Sequence, residues 1–166
     1  MNEMIENRTY AEITIGETAS LTRSISEADI QLFAALSGDV NPAHLDQDYA
    51  AQSMFGGVIA HGMFTGALVS TLLGVHLPGP GTIYLGQSLR FLRPVKPGDR
   101  LTVSVTVREK FDDKQRVILD CSCINQDAKA VLKGEAEVIA PSEKIRRPRP
   151  DTPAVSLGSS PFVIHA

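Results

Sequence analysis

The chain has 166 residues, which is enough for one domain with a substantial core. Its net charge of −3 and its lack of tryptophan argue against a nucleic-acid-binding protein, which needs a basic surface and stacking aromatic side chains. The first residues lack the basic and apolar regions of a signal peptide, and no apolar run is long enough to span a bilayer. We therefore expect a cytoplasmic protein without a membrane segment.

The first part of the chain predicts a strand near residues 19–25, followed by helices. Ser26 with Asp29 three residues later is typical of a capped helix start. Apolar or small residues then recur at helical spacing as far as Gly38, where the helix is expected to end. Asp46 is expected to cap a further short helix.

The segment 61–75 predicts a helix of a different kind, because it has almost no polar face. Such a helix is usually buried, and this one is too short to cross a membrane. Gly62, Gly66 and Gly74 lower its helix propensity, which indicates that a strand or a ligand approaches its backbone closely.

Alternating apolar and polar residues predict strands in the second half of the chain. These strands are expected at residues 83–91, 101–107, 115–125 and 128–140. Short connections favour antiparallel neighbours, so the predicted class is α+β, with a sheet wrapped on the buried helix. Residues 141–166 are basic and proline-rich, and we expect a linker or tail with little structure after a domain of residues 1–140.

The two cysteines, Cys121 and Cys123, fall on the same face of a predicted strand. Cysteine often serves as a small apolar residue in a core or an interface. A metal site would need more cysteine or histidine ligands nearby in the sequence, and none is present. We therefore predict neither a metal site nor a structural disulfide.

The run from Asp39 to His44 is a candidate catalytic loop. It places a carboxylate and an imidazole five positions apart, and Pro42 between them is expected to block a regular helix. Two acid/base groups on a constrained loop are suited to proton transfer on a small substrate. The alternatives are a turn or capping role for Asp39 and a structural role for His44, and Asn41 fits an Asx turn better than catalysis.

His61 and Gly62 stand at the start of the predicted buried helix. The first N–H groups of a helix have no partner within it and carry partial positive charge. The Gly62 N–H is therefore a candidate donor to a developing oxyanion, although Gly62 also fits a purely packing role. For His61, a side-chain hydrogen bond to the preceding loop is preferred to catalysis, and His76 and His165 are not site candidates.

These segments together resemble a known family. The sequence D-V-N-P-A-H at 39–44, I-A-H-G-M at 59–63 and the stretches 81–91 and 94–99 resemble the MaoC-like, or R-specific, enoyl-CoA hydratases of the hot-dog superfamily. The resemblance extends from about residue 13 to residue 139. It implies a curved antiparallel sheet around one central helix and a homodimer or a higher homo-oligomer. It also implies reversible syn addition of water to trans-2-enoyl-CoA, giving (R)-3-hydroxyacyl-CoA, with no metal or other cofactor.

The resemblance also implies roles for individual residues. Asp39 and His44 match the catalytic pair that activates water and returns a proton to the α-carbon, and the Gly62 N–H matches the oxyanion donor. Ser70 matches a residue that supports the catalytic hydrogen-bond network, although a helix hydroxyl often bonds to its own backbone. The residues predicted to contact the substrate are Asn41, Ser70, Leu73 and Val138.

Two other functions stay open: a hot-dog acyl-CoA thioesterase and a non-catalytic acyl-CoA-binding module. The acid/base pair favours a hydratase, because binding alone would not need it. Residues 1–9 and 143–148 are also similar to the hydratase domain of bifunctional enoyl-CoA hydratase/phosphate acetyltransferase proteins, in which a phosphate acyltransferase domain follows. The chain ends before such a domain. Arg90, Arg93 and Lys96 are candidates for CoA phosphate contacts, although such charges are usually solvated.

Overall fold

The computed structural model describes residues 3–156. The first half contains β1 (Met4–Glu6), β2 (Thr18–Ser24), α1 (Glu27–Ser37), α2 (Pro42–Leu45), α3 (Gln47–Gln52) and α4 (Gly62–Thr71), which continues as a π-helical turn (Leu72–His76). The second half contains β3 (Ile83–Phe91), β4 (Arg100–Phe111), a 3-10 turn (Asp113–Gln115), β5 (Arg116–Ile124), β6 (Ala130–Ile139) and β7 (Arg146–Pro148).

Five strands form one antiparallel sheet in the order β2-β4-β5-β6-β3. The α+β class and the strands predicted from alternating residues are confirmed. The inward-facing residues of β4 show the alternation clearly, since all of them are at most 1% exposed: Leu101, Val103, Val105 and Val107. This face of the sheet packs against α4, which supplies Leu68 and Val69 to the same core.

The capping signals at α1 are confirmed. The Ser26 hydroxyl accepts a hydrogen bond from the Asp29 N–H, and the Asp29 carboxylate accepts one from the Ser26 N–H. Gly38 ends the helix in the left-handed region, at φ 76°, and donates its N–H to Ala34 O. The chain therefore leaves α1 in a fixed direction just before the candidate catalytic loop.

A strand approaches the central helix closely, as expected, at two of its three glycines. A Cβ at Gly62 would lie 3.1 Å from Phe91 Cε1, and one at Gly66 would lie 3.1 Å from Leu89 Cδ1, so both glycines let β3 come near. At Gly74, in the π-helical turn, a Cβ would have no protein neighbour within 4 Å, so no strand approaches it, and the approach of a ligand there stays a prediction. The helix is also less enclosed than expected, because the Met63 side chain projects outwards and is 57% exposed.

The segment that follows the last strand of the sheet is not structureless throughout. β7 pairs antiparallel with β1 as a separate two-stranded sheet, so the expectation of little structure after residue 140 is wrong for these residues. The reason is Asn7, which is fully buried: its amide donates to Pro80 O and Glu143 O, and its Oδ1 accepts from the Ile145 N–H. Residues 157–166, including His165, lie outside the described part, and the domain boundary at residue 140 stays a prediction.

Both cysteines have the core positions predicted for them. Cys121 and Cys123 are free thiols and are 3% and 0% exposed. Burial raises the pKa of Cys121, and it raises the pKa of Cys123 to about 11. Over residues 3–156, no helix has both the length and the apolar character needed to cross a membrane.

Candidate active site

The carboxylate of Asp39 is held at the start of the candidate loop by local hydrogen bonds. The Asp39 N–H donates to Ser37 Oγ at 3.2 Å, and Asp39 Oδ1 accepts from the Asn41 N–H at 3.1 Å. One carboxylate oxygen is thus used to shape the loop, and the other, Oδ2, faces His44.

The predicted Asx turn at Asn41 is confirmed. Its Oδ1 accepts from the Ala43 N–H at 3.0 Å, which caps the one-turn helix α2. As expected, no regular helix crosses the run from Asp39 to His44. Asn41 is non-helical, at φ −52° and ψ 130°, and Pro42 begins the separate one-turn helix α2 at its first position, where a backbone N–H would have no partner within the helix. The contact of Asn41 with a substrate stays a prediction.

His44 lies in this short helix and has a defined tautomer. Its Nδ1 is 2.7 Å from Ile59 O, and because a carbonyl oxygen only accepts, Nδ1 carries the hydrogen. In the neutral ring the lone pair is therefore on Nε2. This nitrogen lies 4.0 Å from Asp39 Oδ2, too far for a direct hydrogen bond. The two side chains differ in exposure, since that of His44 is 11% exposed and that of Asp39 52%.

His61 packs directly on this pair. Its ring lies on that of His44, with centroids 3.8 Å apart and planes inclined by 29°. Its Nε2 is 2.9 Å from Asp39 O, which confirms the predicted hydrogen bond to the preceding loop. The contact between the two imidazoles was not predicted, and the separation of the two residues in sequence gives no periodic signal for it.

A cavity of about 350 Å³ opens beside these groups. His44, His61 and Gly62 line it together with residues around the end of β3, including Phe91 and Arg93. Gly62 is the first residue of α4, and among residues 3–156 no acceptor is paired with its N–H. The structure thus places the predicted acid/base pair, Asp39 and His44, and the predicted helix-start donor, Gly62, at one site.

The other predicted substrate contacts lie apart from this cavity. Ser70 lines a second, mostly apolar cavity of about 390 Å³, next to Tyr84 and Gln87. Burial raises the pKa of Tyr84 to about 12, and nearby Cys121 adds to the shift. The structure brings neither Leu73 nor Val138 into the two cavities, because both side chains are packed in the core. The substrate-binding roles of these residues stay predictions.

The site also contains donors that could hold a cation. One donor atom from each of Asp39, His44 and His61 lies within 4.8 Å of the other two. Each imidazole already directs one nitrogen at a backbone carbonyl, so both rings are oriented without a metal ion. The absence of a metal or other cofactor from the working site stays a prediction.

The antiparallel sheet packed on α4 is the fold of a hot-dog domain, and the candidate acid/base groups lie beside the start of its central helix. Residues 10–122 match the family model described as MaoC like domain, and the chain belongs to this family. The family assignment and the hot-dog fold inferred from the motifs are thereby confirmed.

Individual relatives agree with this assignment. An (R)-specific enoyl-CoA hydratase of Rhodospirillum rubrum is 46% identical over 133 residues, which are 80% of this chain and 92% of that protein. A 3-hydroxybutyryl-CoA dehydratase of Methylorubrum extorquens is 42% identical over 81% of this chain and 85% of its own length. Among solved structures, the unliganded R-hydratase PhaJ1 from Pseudomonas aeruginosa has a TM-score of 0.89 and 51% identity, covering 94% of this chain and 100% of that chain.

Proposed function

We propose that this chain is an (R)-specific enoyl-CoA hydratase that adds water to trans-2-enoyl-CoA and catalyses the reverse dehydration. The observation that carries the proposal is the 4.0 Å separation between His44 Nε2 and Asp39 Oδ2, beside the N–H of Gly62. The names of the relatives from Rhodospirillum rubrum and Pseudomonas aeruginosa support the same reaction.

The separation fits a single water molecule shared by the two groups. Hydrogen bonds to oxygen are about 2.7–3.0 Å long, so one water oxygen can donate one hydrogen to Nε2 and the other to Oδ2. Both atoms can act as acceptors, because Nε2 carries the lone pair in the neutral ring and a carboxylate oxygen carries lone pairs of its own. The pair thus holds water and offers it a base.

The reaction then requires a place for the electrons of the double bond. As the water oxygen bonds to the β-carbon, one member of the pair takes its proton, and the π electrons move to the thioester oxygen. The Gly62 N–H donates to that oxygen, and losing such a donor typically costs about 100–1000-fold in rate. A proton from the Asp39/His44 pair then returns to the α-carbon as the carbonyl re-forms, so no atom is gained or lost beyond water.

The proposal is tested with crotonyl-CoA, by following the loss of the conjugated enoyl absorbance. Asp39→Asn and His44→Gln each remove one acid/base group with little change in shape, and each is expected to lower kcat by about 100–10,000-fold. His76→Gln, at the far end of the central helix, is the matched control and keeps the wild-type rate. Wild-type rates in either site variant, with circular dichroism unchanged, would reject the assignment.

The product and side reactions separate the hydratase from the alternatives. An (R)-specific 3-hydroxyacyl-CoA dehydrogenase should oxidise the product, and oxidation by only an (S)-specific enzyme would reject the stereochemistry. Release of free thiol without hydration would indicate a thioesterase. Tight acyl-CoA binding with no turnover would indicate a binding module.

We also propose that the chain forms a homodimer or a higher homo-oligomer. Support comes from β3, an edge strand of nine residues with several large apolar side chains at least 40% exposed. These residues are Ile83, Tyr84, Leu85 and Phe91. A long apolar edge strand is a template for pairing with a second chain. Light scattering after size exclusion tests this, and a monomer at micromolar concentration would contradict it.

Three further expectations complete the proposal. The residues present supply a base, a proton donor and an oxyanion donor, so the reaction is proposed to need no cofactor, and dialysis against a chelator should leave kcat unchanged. A cytoplasmic location is supported by the two free thiols, which are typical of a reducing compartment, and is tested by cell fractionation. Association with a phosphate acyltransferase domain stays a prediction that the sequence of the encoding gene would test.

A further inference from the structure

His61 contacts or adjoins each of the three groups assigned to the reaction. Its Nε2 bonds to the backbone carbonyl of Asp39 at 2.9 Å, and its ring lies against that of His44 at 3.8 Å. Through its own peptide bond it precedes Gly62, whose N–H is the proposed oxyanion donor. The side chain is only 3% exposed, so these contacts are held within packed surroundings.

The hydrogen-bond pattern of His61 does not suit proton transfer. The Asp39 carbonyl only accepts, so Nε2 carries the hydrogen and is engaged. Nδ1 is enclosed and has no hydrogen-bond partner among the described residues. One nitrogen is thus occupied and the other is closed off from solvent, which leaves His61 a structural link to the reacting groups rather than a member of the acid/base pair.

The link of His61 to Asp39 differs from the other ties of the loop. Ala43 and His44 are bonded to Ile59, through the Ile59 N–H to Ala43 O and through His44 Nδ1 to Ile59 O. The hydrogen bonds of the Asp39 backbone N–H and carboxylate go to Ser37 and Asn41, within its own loop. The bond from His61 therefore ties the Asp39 end of the loop to the start of α4.

We infer that His61 is a positioning residue that sets the separation between Asp39 and His44 at which one water molecule is held. The inference rests on the proposed hydratase function. A water shared across 4.0 Å tolerates little displacement, and a misplacement of about 1 Å can cost about 100-fold in rate. His61 fixes the position of Asp39 through the hydrogen bond to its backbone carbonyl, and this bond, rather than the ring contact with His44, is the contact that sets the separation.

Three variants separate hydrogen bonding from packing. The amide nitrogen of glutamine stands four bonds from Cα, as Nε2 of histidine does, whereas that of asparagine stands three bonds away. His61→Gln therefore keeps the donor and is expected to keep kcat within about fivefold of wild type, while His61→Asn and His61→Leu lose about 10–100-fold, with KM within about threefold. If His61→Leu is as active as His61→Gln, packing alone explains the residue and the inference is wrong.

A double-substitution cycle provides a readout that a general loss of stability would not move. If His61 acts through Asp39, then Asp39→Asn with His61→Leu should be no more than about threefold slower than Asp39→Asn alone. Multiplicative losses would overturn the inference. An acid/base pair gives a bell-shaped pH profile of kcat, with an acidic and a basic limb. His61→Gln should keep both limbs, and the loss of one limb would make His61 an acid or a base instead.

The outcomes also separate this inference from the function on which it rests. An inactive wild-type protein would refute the hydratase proposal and the inference together. An active wild-type protein with all three His61 variants near its rate would refute the inference alone. Thermal unfolding of each variant is the control, and the Gln–Asn comparison still decides the matter if His61→Leu fails to fold.

Discussion

Adding one methyl group at Gly62 tests the proposed oxyanion donor without removing its N–H. In Gly62→Ala the new Cβ would lie 3.1, 3.2 and 3.3 Å from three ring atoms of Phe91. Ordinary carbon contacts are about 3.5–4.0 Å, so the ring must move by a few tenths of an ångström. Phe91 is 50% exposed and can move. The displacement takes place in the cavity where the thioester is proposed to bind.

The expected loss in activity follows from the position of the methyl group. The N–H remains, so the effect should be smaller than the full loss of a donor, which is about 100–1000-fold. We expect kcat/KM to fall by about 10–100-fold, equivalent to about 1.4–2.7 kcal/mol of transition-state stabilisation. Stability should not fall, because alanine is favoured over glycine by up to about 1 kcal/mol in a helix.

Crotonyl-CoA kinetics with thermal unfolding are the assay, and Gly74→Ala is the matched control. A Cβ at Gly74 meets nothing within 4 Å, so this variant should keep wild-type kinetics. Phe91→Leu added to Gly62→Ala should restore part of the activity by removing the crowded ring atoms. An unchanged kcat/KM in Gly62→Ala would refute the reasoning. An equal loss in Gly74→Ala would show that the effect is not local to the donor.

Three further changes test the fold around the site. Asn7→Leu removes three side-chain hydrogen bonds of a fully buried residue, so it should lower the free energy of unfolding by about 2–4 kcal/mol. Unfolding in urea measures this, and an unchanged midpoint concentration of urea would contradict it. Burial raises the pKa of Asp29, but hydrogen bonds from Ser26 outweigh this effect, and the net pKa is lowered. The ionised carboxylate therefore stabilises the fold above about pH 3.9, and this stabilisation is lost as the pH falls through the native pKa. Asp29→Asn should accordingly lower the free energy of unfolding at pH 7 and lower it less at pH 3. Cys121 and Cys123 should react with a thiol reagent at pH 8 only after unfolding, since burial raises both thiol pKa values; rapid labelling of the folded protein would contradict this.

Local patterns were enough to predict most of the fold. The sheet strands follow from alternation of apolar residues, and α1 follows from a capping box and a terminal glycine, because these signals lie within a few residues of one another. The pairing of β1 with β7 was missed, since it joins Met4 to Pro148 across nearly the whole chain. No periodicity within residues 141–149 indicates that this segment pairs with a strand near the other terminus.

The parts of the site that lie in short sequence motifs could be predicted. Asp39, His44 and Gly62 were named from their loop and helix start, and the structure brings them together. Of the two contacts of His61, the hydrogen bond to the loop was predicted and the ring contact with His44 was not. Its hydrogen bond to the loop follows from its place before the helix, whereas the ring contact depends on how the chain returns between α3 and α4.

Backbone atoms supply one partner in each hydrogen bond that orients the Asp39, His44 and His61 side chains. The carbonyl of Ile59 fixes the tautomer of His44, the carbonyl of Asp39 holds His61, and the N–H of Asn41 holds one oxygen of Asp39. These partners are present whatever side chains stand at the neighbouring positions. The geometry therefore depends on the path of the chain from Gly38, where φ is 76°, to the start of α4. This explains how a short run of residues can specify the site: it supplies the three side chains and the turns that bring backbone partners to them.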